Sequence, residues 1–226
     1  MSRFAGEASH ELKTPLSIIR LQSEKLLLHG DLSGPQQEAV RQQLNSIHGL
    51  NLVIEKLLFI ARAEAGAIQP KQELQSTGKF IEAFVEDARV LCEDRGVRFV
   101  ISKNDDVAMR FDGSLIRQVL LNLLSNALKA TPLDGQITVA AMANESVWKV
   151  TVEDTGPGLP QAASGEDVFK PFVRLDPELN WSFAKGAGLG LAISRSILDL
   201  HHGSIHVENR TPDPGLRAVF EVPRTS

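Results

Sequence analysis

The sequence predicts an α+β protein in two parts, an N-terminal antiparallel helical hairpin followed by an α/β sandwich. Three observations support this prediction. Residues 4–65 contain two long stretches with apolar residues at helical spacing, separated by a short turn. Residues 67–74, with Pro70 and several polar side chains, lack periodicity and indicate a linker. From residue 75 onward, short β-branched segments alternate with amphipathic helices. We therefore expect a hairpin over 1–66 and a second domain over 75–226.

The hairpin helices are predicted from Phe4 to His29 and from Pro35 to about Ala65, with Pro15 expected to kink the first. Apolar and small side chains repeat along the second helix in steps of three and four residues. They form a coiled-coil seam of Leu44, Ile47, Asn51, Ile54, Leu58 and Ala61. Asn51 either sets the register or lies at the stripe edge, with its amide in water. Since one hairpin cannot bury its apolar stripe alone, we expect a homodimer that forms a four-helix bundle.

The second domain is predicted to alternate helices with strands. The helices are 77–95, 114–130 and 189–201, and the strands are 97–101, 136–141, 147–153, 204–208 and 217–222. Residues 159–187 are irregular and too long for a routine connection, which is typical of a lid over a binding site.

Composition excludes several classes of function. The formal net charge of −4 argues against nucleic acid as the main partner. The single cysteine, Cys92, excludes an intramolecular disulfide, and we expect it in the core. Because no apolar run approaches the roughly 18–20 residues of a membrane span, we expect no direct membrane contact in this fragment. The chemical site also begins so near Met1 that we expect an upstream region to be missing.

Two glycine groups indicate a phosphate-bearing ligand. Asp154 follows a strand directly, and Gly156 and Gly158 allow the backbone to approach a ligand closely. A carboxylate there can accept a hydrogen bond from the adenine amine, although a tight Asp-Gly turn is the simpler interpretation. The second group, GAGLGL over residues 186–191, leads into an apolar helix, whose first N–H groups suit phosphate oxygens.

Three polar side chains share one face of the helix between these groups. Asn122 and Asn126 lie one turn apart, and Lys129 follows one turn later. Amide oxygens suit Mg²⁺, and the lysine suits phosphate. The alternative is an ordinary polar stripe, but the flanking leucines leave little room for two amides in solvent. In the irregular segment, Phe169 and Phe172 can anchor a lid in apolar pockets or belong to the permanent core.

The first helix carries a candidate nucleophile. His10 can attack phosphorus, and Glu11 beside it can accept the ring proton. Thr14 lies one turn beyond His10 on the same face, where a hydroxyl can orient water. A lone histidine on a helix is otherwise explained as a polar surface residue.

Five motifs in order resemble those of the sensor histidine kinases of bacterial two-component systems, over nearly all of the chain. They are SHELKTPLS, LIRQVLLNLLSNALKATP, EDTGPGLP, VFKPFVRLD and GAGLGLAIS, which resemble the phosphoacceptor, N, first glycine, F and second glycine boxes. The resemblance implies a dimerisation and phosphotransfer hairpin and an ATP-binding domain of the histidine kinase, Hsp90 and topoisomerase type. It also implies ATP and Mg²⁺ as cofactors, a response-regulator receiver domain as partner, and a cytoplasmic fragment of a bacterial plasma-membrane protein.

The resemblance also assigns roles to residues. It makes His10 the phosphorylated histidine, Glu11 its base, and Thr14 the position that assists dephosphorylation of the partner. It implies that Asn126 binds Mg²⁺ and that Asp154 contacts adenine. The remaining nucleotide-binding positions that it implies are Asn122, Lys129, Gly156, Gly158, Phe169, Phe172, Gly186, Gly188, Gly190 and Leu191.

One departure from the family pattern concerns the end of the N box. A tyrosine is common there, but Ala130 takes its place, and the chain contains no tyrosine. We therefore expect the nucleotide to lack one aromatic contact, or another residue to supply it.

Three alternatives to a kinase remain at this stage. A phosphatase-dominant protein would use Glu11 and Thr14 mainly on the regulator. An ATP-gated scaffold would not need His10. A plain ATPase is disfavoured, because the topoisomerase relatives carry a glutamate where this chain has Asn122.

Overall fold

The structure, a computed structural model, describes residues 2–160, 165–173 and 187–224, and only the backbone of residues 2–12. These residues divide between two units, and the chain passes from the first to the second at Ile68 and Gln69 and again at Leu189 and Gly190. The first unit is the hairpin, formed by helices α1 (Ser2–His29) and α2 (Gly34–Glu64). Both helices confirm the predicted hairpin to within two residues.

The turn of the hairpin follows from its local sequence. Gly30 closes α1 by donating its N–H to the Leu26 carbonyl at 2.9 Å, and a Cβ on Gly30 would approach that oxygen to 2.4 Å. Ser33 precedes α2, and its N–H donates to Oε1 of Gln36 at 2.9 Å. Pro35 occupies the first turn of α2. These contacts satisfy backbone groups that a helix end leaves without partners.

The predicted seam is the inner side of the hairpin. All six seam residues are buried or half-buried, with Ile47 and Ile54 among the most buried. Asn51 is half-buried, which keeps both of its interpretations open. Lys13 joins the two helices through an ion pair of 2.9 Å with Glu55. Many other apolar side chains of the hairpin are exposed, namely Ile18, Ile19, Leu21, Leu26, Leu28, Leu50 and Leu52.

The α1 helix continues through Pro15 without a break, and the kink expected there stays a prediction. One expectation about these helices needs correction. Among the described helices, α2 is long and apolar enough to cross a membrane, judged by length and hydropathy alone. The expectation that no apolar run approaches this length is therefore wrong by that criterion, although Glu55 and Lys56 interrupt the run. The spacing of its apolar residues is that of a coiled-coil helix.

The second unit is a five-stranded sheet covered by three helices. Its helices are α3 (Thr77–Asp94), α4 (Gly113–Ala130) and α5 (Gly190–Leu200). The strands of the unit are β1 (Glu73–Ser76), β2 (Arg98–Asn104), β3 (Ala108–Phe111), β4 (Gln136–Ala143), β5 (Val147–Asp154), β6 (Ser204–Asn209) and β7 (Leu216–Pro223). All of them except β1 and β3 belong to the five-stranded sheet. The sheet order is β2-β4-β5-β7-β6, with β2 parallel to β4 and the other pairs antiparallel. This confirms the predicted sandwich.

The core lies between this sheet and the helices. Alternating residues of β4 and β5, such as Val139 and Val150, are fully buried. An aromatic cluster continues the core, with ring centroids 5.1 Å apart for Phe80 and Phe111 and 5.3 Å apart for Phe111 and Trp148. Cys92 is buried as expected, and desolvation raises the pKa of its thiol to about 11.

The sequence analysis missed two short strands. Strands β1 and β3 pair with each other in a separate antiparallel ladder, with Glu73 opposite Phe111. The predicted linker therefore ends before residue 73, because Glu73 and Leu74 belong to β1.

A buried histidine joins the end of α5 to the start of α4. His201 accepts the Asp112 N–H on Nε2 at 3.1 Å. Its Nδ1 lies 2.8 Å from the Ile197 carbonyl and must donate to it. The ring is therefore neutral. Burial is the main cause that lowers the pKa of His201; the hydrogen bond to Ile197 and the charge of Asp112 oppose it, and His202 adds a smaller lowering.

We expect this histidine to make the second unit sensitive to acid. Because the pKa of His201 is lower in the folded than in the unfolded chain, the unfolded state binds more protons near pH 6.5 and below. The free energy of unfolding should then decrease as the pH decreases, by up to about 1.4 kcal/mol for each pH unit. Thermal unfolding between pH 5 and 8 measures this loss, and His201→Gln should reduce it.

The control is His206→Gln, because His206 is an exposed residue of β6. It should keep the pH dependence of the parent chain. An unchanged pH dependence in His201→Gln would contradict the assignment of the loss to this ring.

Candidate functional site

A buried carboxylate stands at the end of β5. Asp154 is only 4% exposed. Its Oδ1 accepts the N–H of Gly156 at 2.8 Å and that of Leu216 at 3.3 Å. Both of these hydrogen bonds fall on one oxygen, and no hydrogen bond to Oδ2 is found within the described part of the chain, so this oxygen is available to a ligand. Burial raises the pKa of Asp154, and the two N–H donors and Arg210 oppose this effect.

The glycines after Asp154 are required by the space around them. A Cβ on Gly156 would lie 2.7 Å from the carbonyl oxygen of Ala130, at the end of α4. Gly158 has a φ of +76°, and a Cβ there would lie 2.5 Å from Oδ1 of Asn209. Asn209 also holds the segment by bonding both backbone groups of Leu159. This turn is therefore packed too closely for other residues.

Asn122 connects α4 to α5. Its Nδ2 donates to the Gly190 carbonyl at 3.1 Å and to Oγ of Ser194 at 3.3 Å. Asn126, one turn later, is half-buried, and Lys129 is exposed. The amide nitrogen of Asn122 thus holds two helices together, a contact that the sequence did not reveal.

The second glycine group leads directly into α5. Gly188 has a φ of +68°, which explains the glycine there. A Cβ on Gly190, in contrast, would make only ordinary contacts of 3.7 Å with Asn122. Leu191 is half-buried in the first turn of α5. Gly186 lies outside the described residues.

The two predicted anchor phenylalanines differ in burial. Phe169 is 5% exposed and ends a short 3-10 turn, Asp167–Phe169. Phe172 is 47% exposed, so the expectation of a buried anchor holds for Phe169 alone. Arg195 of α5 stacks over the Phe169 ring at 4.4 Å from its centroid. It also donates to both carboxylate oxygens of Glu166, at 2.7 and 3.3 Å.

At the start of the hairpin, the structure describes the backbone that carries His10 and Glu11. The helix α1 is continuous over His10 and Thr14, which therefore stand one turn apart. Thr14 is exposed. The side chains of His10 and Glu11 lie outside the described residues.

Arg210, which sequence reasoning missed, holds the backbone behind Asp154. It donates to the carbonyl of Asp154 at 3.1 Å and to that of Pro214 at 3.2 Å. Its Nε also lies 3.6 Å from Oε2 of Glu153. Arg195, Glu166 and Arg210 form no motif in the sequence, because their partners are distant along the chain.

Two protein families match this chain. The family described as "Histidine kinase-, DNA gyrase B-, and HSP90-like ATPase" matches residues 111–226. The family described as "His Kinase A (phospho-acceptor) domain" matches residues 1–66. The chain belongs to the sensor histidine kinases. Residues 111–226, which make up most of the second unit, thus belong to the family of their ATP-binding domains.

Other sensor kinases are similar to this one over nearly all of its length. Sensor protein IrlS of Burkholderia pseudomallei is 29% identical, over 97% of this chain and 46% of the relative. Sensor histidine kinase CusS of Escherichia coli K12 is 29% identical, over 98% of this chain and 45% of the relative. The non-motile and phage-resistance protein of Caulobacter vibrioides is 31% identical, over 98% of this chain and 27% of the relative. The chain therefore spans less than half the length of these relatives.

Solved structures of histidine kinases resemble it as well. Full-length ShkA, in a crystal structure with AMPPNP, has a TM-score of 0.82 and 25% identity, over 100% of this chain and 47% of that one. The catalytic domain of histidine kinase ThkA has a TM-score of 0.56 and 31% identity, over 68% of this chain and 99% of that one.

We expect Gly156→Ala to abolish nucleotide binding by this kinase. The added methyl group would contact the Ala130 carbonyl and Oδ1 of Asp154, which lie only 2.7 and 2.9 Å from its position. Isothermal titration with ATP measures the loss. Gly34→Ala is the control, because nothing lies within 4 Å of its Cβ. Unchanged ATP affinity in Gly156→Ala would contradict the close packing of this turn.

Proposed function

We propose that this chain is the kinase core of a two-component system, which transfers the γ-phosphoryl group of ATP to His10 and then to an aspartate of a response regulator. The hairpin over 1–66 is the phosphotransfer domain, residues 67–72 are the linker, and the catalytic domain follows from β1 at Glu73. The observation that carries this proposal is the buried carboxylate of Asp154, which keeps one oxygen for a ligand beside the close turn at Gly156.

Asp154 favours adenine over guanine for a chemical reason. Adenine carries an exocyclic amine, which donates to a carboxylate oxygen. Guanine carries a carbonyl oxygen at the same ring position, and two acceptors facing each other repel. Because little water reaches a buried carboxylate, the difference in binding free energy between adenine and guanine is not reduced by solvation, and the selection for adenine is strong.

The residues of α4 fit a magnesium–phosphate group. Mg²⁺ takes oxygen ligands and shares its coordination with phosphates and water, so a single amide oxygen from Asn126 is a suitable protein ligand. Asn122 uses its amide nitrogen on α5, which leaves Oδ1 for the phosphate side. Lys129, at the exposed end of α4, contributes positive charge. When bound, the cation neutralises charge on the phosphates.

His10 completes the reaction on the hairpin. One ring nitrogen attacks the γ-phosphorus, a nitrogen–phosphorus bond forms, and the bond to the leaving oxygen of ADP breaks. Glu11 accepts the proton from the other ring nitrogen. The phosphoryl group then passes to the regulator carboxylate, the nitrogen–phosphorus bond breaks, and Glu11 returns its proton to the ring, which regenerates the neutral imidazole.

The exposed apolar residues of the hairpin support a homodimer. Ile19 and Leu26 lie one heptad apart on α1, and both are at least 40% exposed in a single chain. A second copy would cover such residues in a four-helix bundle. We further propose that the fragment is cytoplasmic, that the full protein places a sensor region upstream at the plasma membrane, and that Thr14 also supports phosphatase activity on the regulator.

Phosphorylation should depend on His10. The chain incubated with γ-labelled ATP and Mg²⁺ should gain an acid-labile, base-stable label, as a phosphoramidate requires, and His10→Gln should gain none. His48→Gln is the control, because His48 is an exposed histidine of α2. Label retained in His10→Gln would refute the assignment, and a chain that binds ATP without any label would favour the scaffold or phosphatase alternatives.

Base selection should depend on Asp154. In Asp154→Asn, the carboxamide keeps one acceptor for Gly156 and turns an N–H₂ group toward the base. We expect ATP affinity to fall about 10–100-fold, the value of a hydrogen bond to a charged group, while GTP affinity does not fall. Competition with a fluorescent nucleotide measures both affinities.

The control for this change is Asp199→Asn, because Asp199 is exposed on α5. It should leave both affinities unchanged. An equal loss for ATP and GTP in Asp154→Asn would show that the carboxylate supports the fold and does not select the base.

A further inference from the structure

The carboxylate of Asp112 makes two different connections with its two oxygens. Its Oδ1 caps α4 by accepting the N–H groups of Ser114 and Leu115, both at 3.1 Å, and the Ser114 hydroxyl at 2.6 Å. Its Oδ2 accepts the N–H of Lys71 at 2.8 Å. Asp112 is 7% exposed, so little water competes for these bonds.

Lys71 belongs to the segment by which the chain enters the catalytic unit. That unit begins at Gln69, and β1 follows from Glu73. The ladder between β1 and β3 pairs Glu73 with Phe111, the residue before Asp112. The bond from Lys71 thus attaches the entering segment just before its first strand, two residues after the change of unit.

Asp112 is also attached to α5. Its N–H donates to His201 just beyond the end of α5, while Asn122 of α4 donates to Gly190 at the start of α5. Both ends of α5 are therefore bonded to α4 or to its N-cap. Helix α4 carries Asn126, and α5 begins at Gly190, the last glycine of the second group, so the bonded pair of helices frames the proposed nucleotide site.

We propose that Asp112 is a positioning residue, which couples the entering segment at Lys71 to the helices α4 and α5. This inference rests on the proposed function. Phosphoryl transfer requires the γ-phosphate to be held in line with a histidine of another unit, and the segment before β1 is the chain that leads from the hairpin helices into the catalytic unit. An entering segment that is not bonded to α4 leaves nucleotide binding intact and reduces the time spent in a productive geometry.

The test uses Asp112→Asn and Asp112→Ser in the full chain. Both residues are good N-caps and keep the backbone N–H for His201, so the start of α4 is preserved. Asparagine turns an N–H₂ group toward the Lys71 N–H, and serine has no second oxygen. We expect kcat for His10 phosphorylation to fall at least about fivefold in both variants, with KM for ATP unchanged.

The matched control is Asp106→Asn. Asp106 also accepts a backbone N–H, from Gly78 at 2.9 Å, and a serine hydroxyl, from Ser76 at 2.6 Å. It makes no bond to residues 69–72 among the described hydrogen bonds. Its kinetics should match the parent chain. A parental kcat in both Asp112 variants, or a rise in KM that accompanies the fall in kcat, would overturn the inference.

Hydrogen exchange provides a readout that does not require phosphorylation. In the parent chain, Mg·ADP should slow amide exchange in residues 69–72 as well as in α4, and in the Asp112 variants it should slow exchange in α4 alone. If Mg·ADP leaves the amide exchange rate of residues 69–72 unchanged in the parent chain, the coupling is overturned. If the parent chain gains no label but shows this exchange pattern, the proposed function fails and the coupling stands.

Discussion

The catalytic unit depends on how α4 is fixed in place. A carboxylate caps its first turn, an asparagine in its middle bonds α5, and its last carbonyl groups lie against the glycine turn that follows β5. None of these contacts involves the apolar core, yet each determines where one wall of the site lies. Burial of the leucine-rich face of α4 keeps the helix on the sheet, and the polar contacts fix its position along and around its own axis.

The site buries the carboxylate of Asp154, which is unfavourable by itself, next to glycine residues. A carboxylate that is 4% exposed is tolerated because two backbone N–H groups stabilise its charge, one from the Gly156 turn and one from Leu216, the first residue of β7. Gly215 follows the same rule, since a Cβ there would lie 2.0 Å from the Asp154 carbonyl. The glycines are therefore the condition for burying the acid, in addition to any contact with nucleotide.

Much of this fold could be predicted from sequence because its main elements have strong periodicity. The helices over 77–94 and 113–130 and the central strands repeat their apolar residues clearly enough to place their ends within a few residues. Strands β1 and β3 could not be predicted, because a stretch of four residues is too short to establish a period, even though β3 alternates exposed and buried residues. The positions of Asp154 and the glycines follow from local sequence. The contacts of Asn122, Arg195 and His201 do not, since each joins residues that only the folded chain brings together.

Because β2 pairs with β4 in parallel, α4 also forms part of the connection between these two strands. Parallel neighbours in a sheet must be joined by a chain that crosses from one end of the sheet to the other, and here α4 lies within that crossover. Strand β2 is an edge strand whose partner in the five-stranded sheet is β4. Local unfolding of α4 would remove the support of this crossover and free the edge strand with it. The helix and the edge of the sheet should then open as one cooperative unit, which exposes the backbone of β4 to pairing with another chain.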